Sequence, residues 1–186
     1  MKKIALIAAA LLAAGVAQAQ TKAAAPAVYG ELGYVFLSAQ VPVLDLTRNQ
    51  VLHPKANPTA VRGILGVDLH PYVAIEAMVA GGASDDELGD FANKVKVKSS
   101  YGAFIKPKYA LDDKFEVFGR IGYAKTKGEM TVVNGSVTTN EGDVAWGLGA
   151  SYKFNKQWYG SMDYTNYLDK DGVKVDGFAI NVGYRF

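Results

Sequence analysis

Any reaction this chain could carry would have to be built from two histidines, no cysteine and a scatter of carboxylates. His53 is followed by Pro54 and Lys55, and His70 by Pro71 and Tyr72. Neither has a serine two residues away, the spacing that sets an imidazole and a hydroxyl side by side on one strand face. His53, Ser84 and Asp85 would have to converge from separate loops. The lack of cysteine removes thiolate chemistry and disulfides. Asp85, Asp86, Glu87 and Asp90 are close in sequence, and Asp169, Asp171 and Gly172 share the opening of a calcium loop. Neither group has a full ligand spacing, so both read as solvated acidic loops, and no metal or cofactor is expected. The other ionisable groups of interest are Glu31, Arg62, Asp68, Glu76, Lys98, Lys106, Glu116, Arg120, Asp163 and Arg185. They carry both signs, and the chemistry they suggest is ion pairing.

These charges sit on the polar side of segments that alternate with a period of two, the mark of strands with two unlike faces. The clearest segment is the last, about Val175–Phe186. Phe178, Ile180, Val182, Tyr184 and Phe186 alternate there with Ala179, Asn181, Gly183 and Arg185. Seven more precede it, at about Val28–Gln40, Thr59–Leu69, Tyr72–Gly81, Lys94–Leu111, Phe115–Lys127, Asp143–Phe154 and Gln157–Leu168. His70-Pro71, Asp112-Asp113-Lys114 and Asn155-Lys156 read as tight turns. Val41–Pro58, Gly82–Asn93 and Gly128–Gly142 read as long loops, and Asp169–Lys174 as a shorter one. Asn134-Gly135 marks the third long loop as a candidate extended hairpin. Each strand is long enough for a tilted membrane crossing. In an up-and-down arrangement the tight turns and both termini share one end, and the longer loops crowd the other.

The N-terminus has Lys2 and Lys3, an apolar run over Ile4–Val16 and a small-x-small site at Ala17-Gln18-Ala19. This predicts a signal peptide over residues 1–19, followed by a flexible tail over 20–27 and one domain over 28–186. Removing the leader takes away two lysines and leaves 18 basic against 18 acidic residues. That neutral balance argues against a nucleic-acid partner. No other run approaches the length of a spanning helix, so a membrane protein here must be a closed barrel.

Three features place the apolar face outside. The polar face is mostly small, as in Gly147, Gly149 and Ser151, which suits the narrow interior of an eight-stranded barrel. Aromatics collect in two belts: Tyr109, Phe115, Phe154, Trp158, Tyr184 and Phe186 near the tight turns, and Phe36, Tyr101, Tyr123, Trp146 and Tyr164 near the loops. The chain given stops on Phe186 after an alternating strand. With that ending, the chain resembles the small eight-stranded outer-membrane β-barrel family of OmpA/OmpX type. The resemblance implies an all-β fold: an eight-stranded antiparallel up-and-down transmembrane barrel after a cleaved signal peptide, in the bacterial outer membrane. It implies that Phe186 is the assembly signal read by the barrel-assembly machinery. The chain ends with the barrel, unlike full-length OmpA-type proteins, so no cell-wall tether is expected.

Some relatives of this type modify lipid A. The deacylase type needs the His/Ser pair that is missing here, and the palmitoyltransferase type has an N-terminal amphipathic helix for which Gln20–Ala27 leaves no room. No enzyme is expected. The interior charges are expected to form an ion-pair network that fills the lumen. Glu116 and Arg120 share a face four apart, and Glu31 and Arg185 lie near one end of two strands that become neighbours on closure. The lumen is expected to be polar, unsuited to a fatty-acid conduit. The expected partners are outer-membrane lipids and lipopolysaccharide, and a host or cell-surface ligand through the outer loops. The expected role is structural, of adhesion type; the alternatives are a narrow low-conductance porin and, last, a lipid A-modifying enzyme.

Overall fold

The computed structural model describes residues 26–40, 42–45, 50–52, 54–84, 86–87, 94–132, 135–170 and 172–186. The leader over 1–19 and most of the 20–27 tail lie outside the described residues, as do His53, Asp85, Asp90, Asn134 and Asp171.

The described residues form twelve strands, in chain order β1 (Val28–Gln40), β2 (Val43–Asp45), β3 (Gln50–Leu52), β4 (Lys55–Ala56), β5 (Thr59–His70), β6 (Val73–Ser84), β7 (Asp86–Glu87), β8 (Lys94–Ala110), β9 (Phe115–Val132), β10 (Gly135–Lys153), β11 (Trp158–Lys170) and β12 (Val173–Arg185). The eight long ones, β1, β5, β6 and β8 to β12, pair antiparallel with their neighbours, and β1 closes on β12. The closing ladder runs from Tyr29↔Arg185 to Gln40↔Lys174. The result is an eight-stranded up-and-down barrel with no open edge along these staves. The short strands lie at the loop end: β2 pairs β3, β4 pairs the end of β1, and β7 pairs the start of β8.

Period-two alternation decides what faces in. Along β1, Glu31, Gly33 and Val35 are buried while Leu32, Tyr34 and Phe36 are exposed. The same parity puts Leu65, Ile75, Ile121, Leu148, Met162 and Ile180 outside. A soluble barrel would reverse this arrangement, because exposing so many large apolar groups to water is unfavourable.

The tight turns are held by short polar side chains. Asp112 Oδ1 accepts from the backbone N–H of Lys114 at 2.7 Å and of Phe115 at 2.8 Å. These two bonds hold the Asp112 carboxyl below the usual aspartate range, since they favour its charged form. Asn155 Oδ1 does the same job without charge, accepting from Gln157 and Trp158 at 2.8 Å each.

The stretch over Gly128–Gly142 takes the extended-hairpin form that Asn134-Gly135 suggests: β9 and β10 stay paired in unbroken register from Tyr152↔Phe115 to Gly135↔Val132. Two expectations need correcting. Lys98 does not point into the barrel. A bulge between Val97 and Ser99 adds one residue to β8, which reverses the parity beyond it. Val97 is therefore buried, and Lys98 is exposed and paired with Glu129. Among the described residues, the charges of the lumen gather towards the tight turns, and its loop-end half is mainly apolar. That half is lined by Val35, Leu37, Ala60, Met78, Val97 and Val175, among others. It encloses a cavity of about 20 Å³ beside Leu37, Val97 and Tyr167.

Candidate functional site: the charged lumen

The inward positions of all eight staves meet in the turn-end half of the barrel. Charges there are costly unless paired, because little water remains to solvate them. The layer nearest the turns joins β5, β8, β9 and β12. Asp68 takes Lys108 Nζ at 2.6 Å and Arg185 Nη1 at 2.9 Å, and Glu116 lies 4.0 Å from both cations.

Above it lies a denser cluster around Arg120. Its Nε donates to Glu76 Oε2 at 2.6 Å, and its Nη2 donates to Glu31 Oε2 at 3.0 Å. Its Nη1 is 2.9 Å from Asp163 Oδ2 but off the hydrogen-bond direction, so that contact is an ion pair only. Lys106 bridges the same two glutamates, 3.4 Å from Glu31 and 3.1 Å from Glu76. Phe118 supplies a ring face to both cations, at 4.3 Å from Lys106 Nζ and 4.6 Å from the Arg120 guanidinium carbon.

Arg62 forms the upper edge. It clamps Asp163 with two bonds, at 3.0 and 2.5 Å, and also donates to the Tyr167 hydroxyl and to Asn181 Oδ1. Thr165 and Asn181 donate to the remaining Asp163 positions. Among the described residues, Glu31, Asp68, Glu76, Glu116 and Asp163 face Arg62, Lys106, Lys108, Arg120 and Arg185, five charges of each sign.

Two tyrosines brace this network. Tyr29 donates to Glu76 at 2.7 Å and Tyr159 to Glu31 at 2.9 Å, and their rings meet edge to face at 6.4 Å. Each ring lies over the glycine directly opposite it on the neighbouring strand, Tyr29 over Gly66 and Tyr159 over Gly183. The rings occupy the space a Cβ would need there, so a side chain at either glycine would displace them.

Of the ten interior residues expected from sequence, nine line the lumen in ion-pair contacts, and Lys98 lies outside it. The partners are not the sequence neighbours: Arg120 meets Glu31, Glu76 and Asp163, and Arg185 meets Asp68 and lies near Glu116. Sequence reading left out Lys108, Tyr29, Tyr159, Phe118 and Asn181. Lys108 follows Lys106 by two and shares its face, a signal that was available.

The expected aromatics all face outward. At the turn end Trp158, Tyr184 and Phe186 stack edge to face at 5.0 and 5.2 Å, and Phe115, Tyr152 and Phe154 form a second row. Tyr109 pairs with Tyr72 at 6.4 Å. At the loop end Trp146 meets Tyr164 at 6.3 Å and Tyr34 meets Phe36 at 5.1 Å. The backbone N–H of Phe186 donates to Val28 at 2.9 Å, so the last residue still belongs to the closing ladder. Of the groups considered for catalysis, His70 sits at a tight turn, where its Nδ1 accepts from the Tyr72 N–H at 3.3 Å.

An apolar outer wall, a neutralised interior and a closed ladder are what a membrane-spanning barrel requires. Residues 6–186 match the family model described as outer membrane protein beta-barrel domain. The chain belongs to that family. This outer-membrane barrel is similar in structure to Ail, the attachment invasion locus protein of Yersinia pestis, with 15% identity and a TM-score of 0.61, covering 87% of this chain and 99% of that one. It is also similar to neisserial surface protein A, with 10% identity and a TM-score of 0.61, over 86% of this chain and 97% of that one. OprG from Pseudomonas aeruginosa gives 16% identity and 0.56, over 87% and 95%. At these identities the likeness concerns the fold alone. No curated protein matches the sequence. The protein is an outer-membrane protein of the bacterial cell envelope.

Proposed function

We propose that the barrel is a closed anchor whose loop end faces outward and makes adhesion-type contacts with surface ligands. The observation that carries this is the neutral, buried network across the lumen, in which Arg120, Glu31, Glu76, Asp163 and Arg62 are nearly inaccessible. A narrow interior filled by bonded side chains serves anchoring better than conduction. The loop end carries the longer connections and the tall β9–β10 ribbon, the parts available to a ligand. The similar Ail has been solved in complex with the heparin analogue sucrose octasulfate, which supports a sulfated surface glycan as the first ligand class to test. The aromatic belts would hold the barrel at the two membrane interfaces, with lipopolysaccharide around the outer one. Phe186 would present the assembly signal, after export by a leader cleaved behind Ala19. This reading assigns no catalysis.

The test is adherence of intact cells expressing the full chain to heparin-coated surfaces, with and without residues 43–52 or 128–142. Loss of adherence on deletion supports the reading. Unchanged adherence, with the barrel still folded, refutes it. A narrow porin is the second reading, favoured by one feature: Arg120 touches three carboxylates and so has alternative partners to exchange among. Single-channel recording of the wild type and of Arg120→Ala separates the two, since the closed anchor predicts no openings in the wild type.

A further inference from the structure

Three adjacent staves stand taller than the rest. β8, β9 and β10 have 17, 18 and 19 residues, against 12 or 13 in the others. β8 and β9 remain paired up to Lys94↔Thr131, and β9 and β10 up to Val132↔Gly135. The excess therefore lies at the loop end, as a three-stranded ribbon continuous with the barrel wall.

The outward face of that ribbon carries a defined set of residues. Tyr101 and Tyr123 are exposed members of the loop-end belt. Directly beyond them Lys125 lies opposite Tyr101, and Lys127 lies opposite Ser99. Residues opposite each other share a face. The bulge adds Lys98 to the same face, which strict alternation would have turned into the lumen. Lys98 is paired with Glu129. Among the described residues, Lys125 and Lys127 have no carboxylate within ion-pair distance. Among the described residues, three lysines and one glutamate leave this face cationic.

Its depth matters as much as its charge. Lys125 and Lys127 are two and four residues beyond Tyr123. At about 3.3 Å per residue and a tilt near 40°, that places them roughly 5 and 10 Å further along the membrane normal. The headgroup layer on each side of the hydrocarbon core is about 5–8 Å deep, so Lys125 lies within it and the flexible stem of Lys127 folds back to its outer edge. The ring of Tyr123 leans over Gly142, the residue opposite Lys125, and so points the same way. The patch faces sideways from the barrel wall, into the leaflet. A soluble polyanion would meet the ends of the loops first, whereas a lipid headgroup meets this face directly.

We propose that Lys98, Lys125 and Lys127 form a docking site for a phosphate-bearing lipid of the outer leaflet, with Tyr101 and Tyr123 at the junction between its headgroup and its chains. The site rests on the outward orientation of the loop end given above. A lysine near an anionic lipid surface contributes about a fivefold gain in affinity, so losing two costs roughly thirtyfold.

The experiment uses the full barrel folded in phosphatidylcholine nanodiscs. Bisphosphorylated lipid A is added, and the lipid A retained per protein is counted by mass spectrometry. Lys125→Gln/Lys127→Gln should weaken retention about thirtyfold, Lys125→Arg/Lys127→Arg should keep it, and Lys114→Gln/Lys156→Gln at the tight turns should leave it unchanged. Dephosphorylated lipid A should bind the wild type as weakly as phosphorylated lipid A binds the double glutamine variant. Equal retention by wild type and the double glutamine variant overturns the site. So does equal binding of the two lipids, or a loss confined to a soluble heparin fragment. Failure of the wild type to insert at all would instead defeat the anchor reading.

Discussion

Arg120 is the residue whose removal should most disturb the barrel. Arg120→Met leaves Glu31, Glu76 and Asp163 with only Lys106 and Arg62, one buried negative charge in excess. Breaking a buried pair by removing one partner costs about 3–5 kcal/mol, because the other charge stays in a poorly solvated site. Glu76→Gln makes the opposite error, leaving one surplus cation, and should cost a similar amount. The double variant is neutral again. Lys106 keeps Glu31 at 3.4 Å and Arg62 keeps Asp163 at 2.5 Å. It should therefore be less destabilised than the two single costs added together, by about 2 kcal/mol or more. Equilibrium urea unfolding in lipid vesicles, followed by tryptophan emission, measures all four proteins. If Arg120→Met costs under about 1 kcal/mol, or if the two losses simply add, charge balance is not what holds the lumen together.

Three further outcomes follow from the geometry. Gly66→Ala and Gly183→Ala should each cost about 1–3 kcal/mol by displacing the Tyr29 or Tyr159 ring, whereas Gly81→Ala, where nothing lies within 4 Å, should change little; urea midpoints decide. A membrane-impermeant maleimide on intact cells should label Ser99→Cys readily and Ser100→Cys slowly, because Ser100 is buried and bonded to Thr126 while Ser99 follows the bulge. The lowered pKa of Asp112 means that its turn contributes stability above the ordinary aspartate pKa of about 3.9 and loses it as pH falls through the lower folded value. Asp112→Asn, copying Asn155, should remove that acid sensitivity, and thermal unfolding between pH 2 and pH 6 would show it.

Much of this was readable from parity alone. Period two is a strict rule while a ladder is regular, so Glu31, Glu76, Arg120 and Asp163 could be assigned to the lumen without knowing the fold in detail. The rule fails at a bulge, and a bulge in β8 leaves no clear sequence mark, so strict alternation places Lys98 on the wrong face. Pairing was less legible than facing. Glu116 and Arg120 share a face, but four residues along a strand is about 13 Å, too far to touch. The actual partners come from other staves, and strand tilt and stagger decide which ones meet. Tyr29 and Tyr159 became visible only once Gly66 and Gly183 were known to stand opposite them. The apolar outer half was hidden because its residues are spread singly over many strands.

The seam between β1 and β12 joins the first stave of the barrel to its last, and it runs twelve residues on each side. Until those two meet, each exposes a row of unpaired amides, which hydrocarbon cannot solvate. Seven staves without the eighth would thus be untenable at membrane depth. Insertion and closure have to proceed together, and a cell must shelter both rims until the circle is complete. A chain cut short before Val173 should accumulate on the periplasmic side and be degraded there.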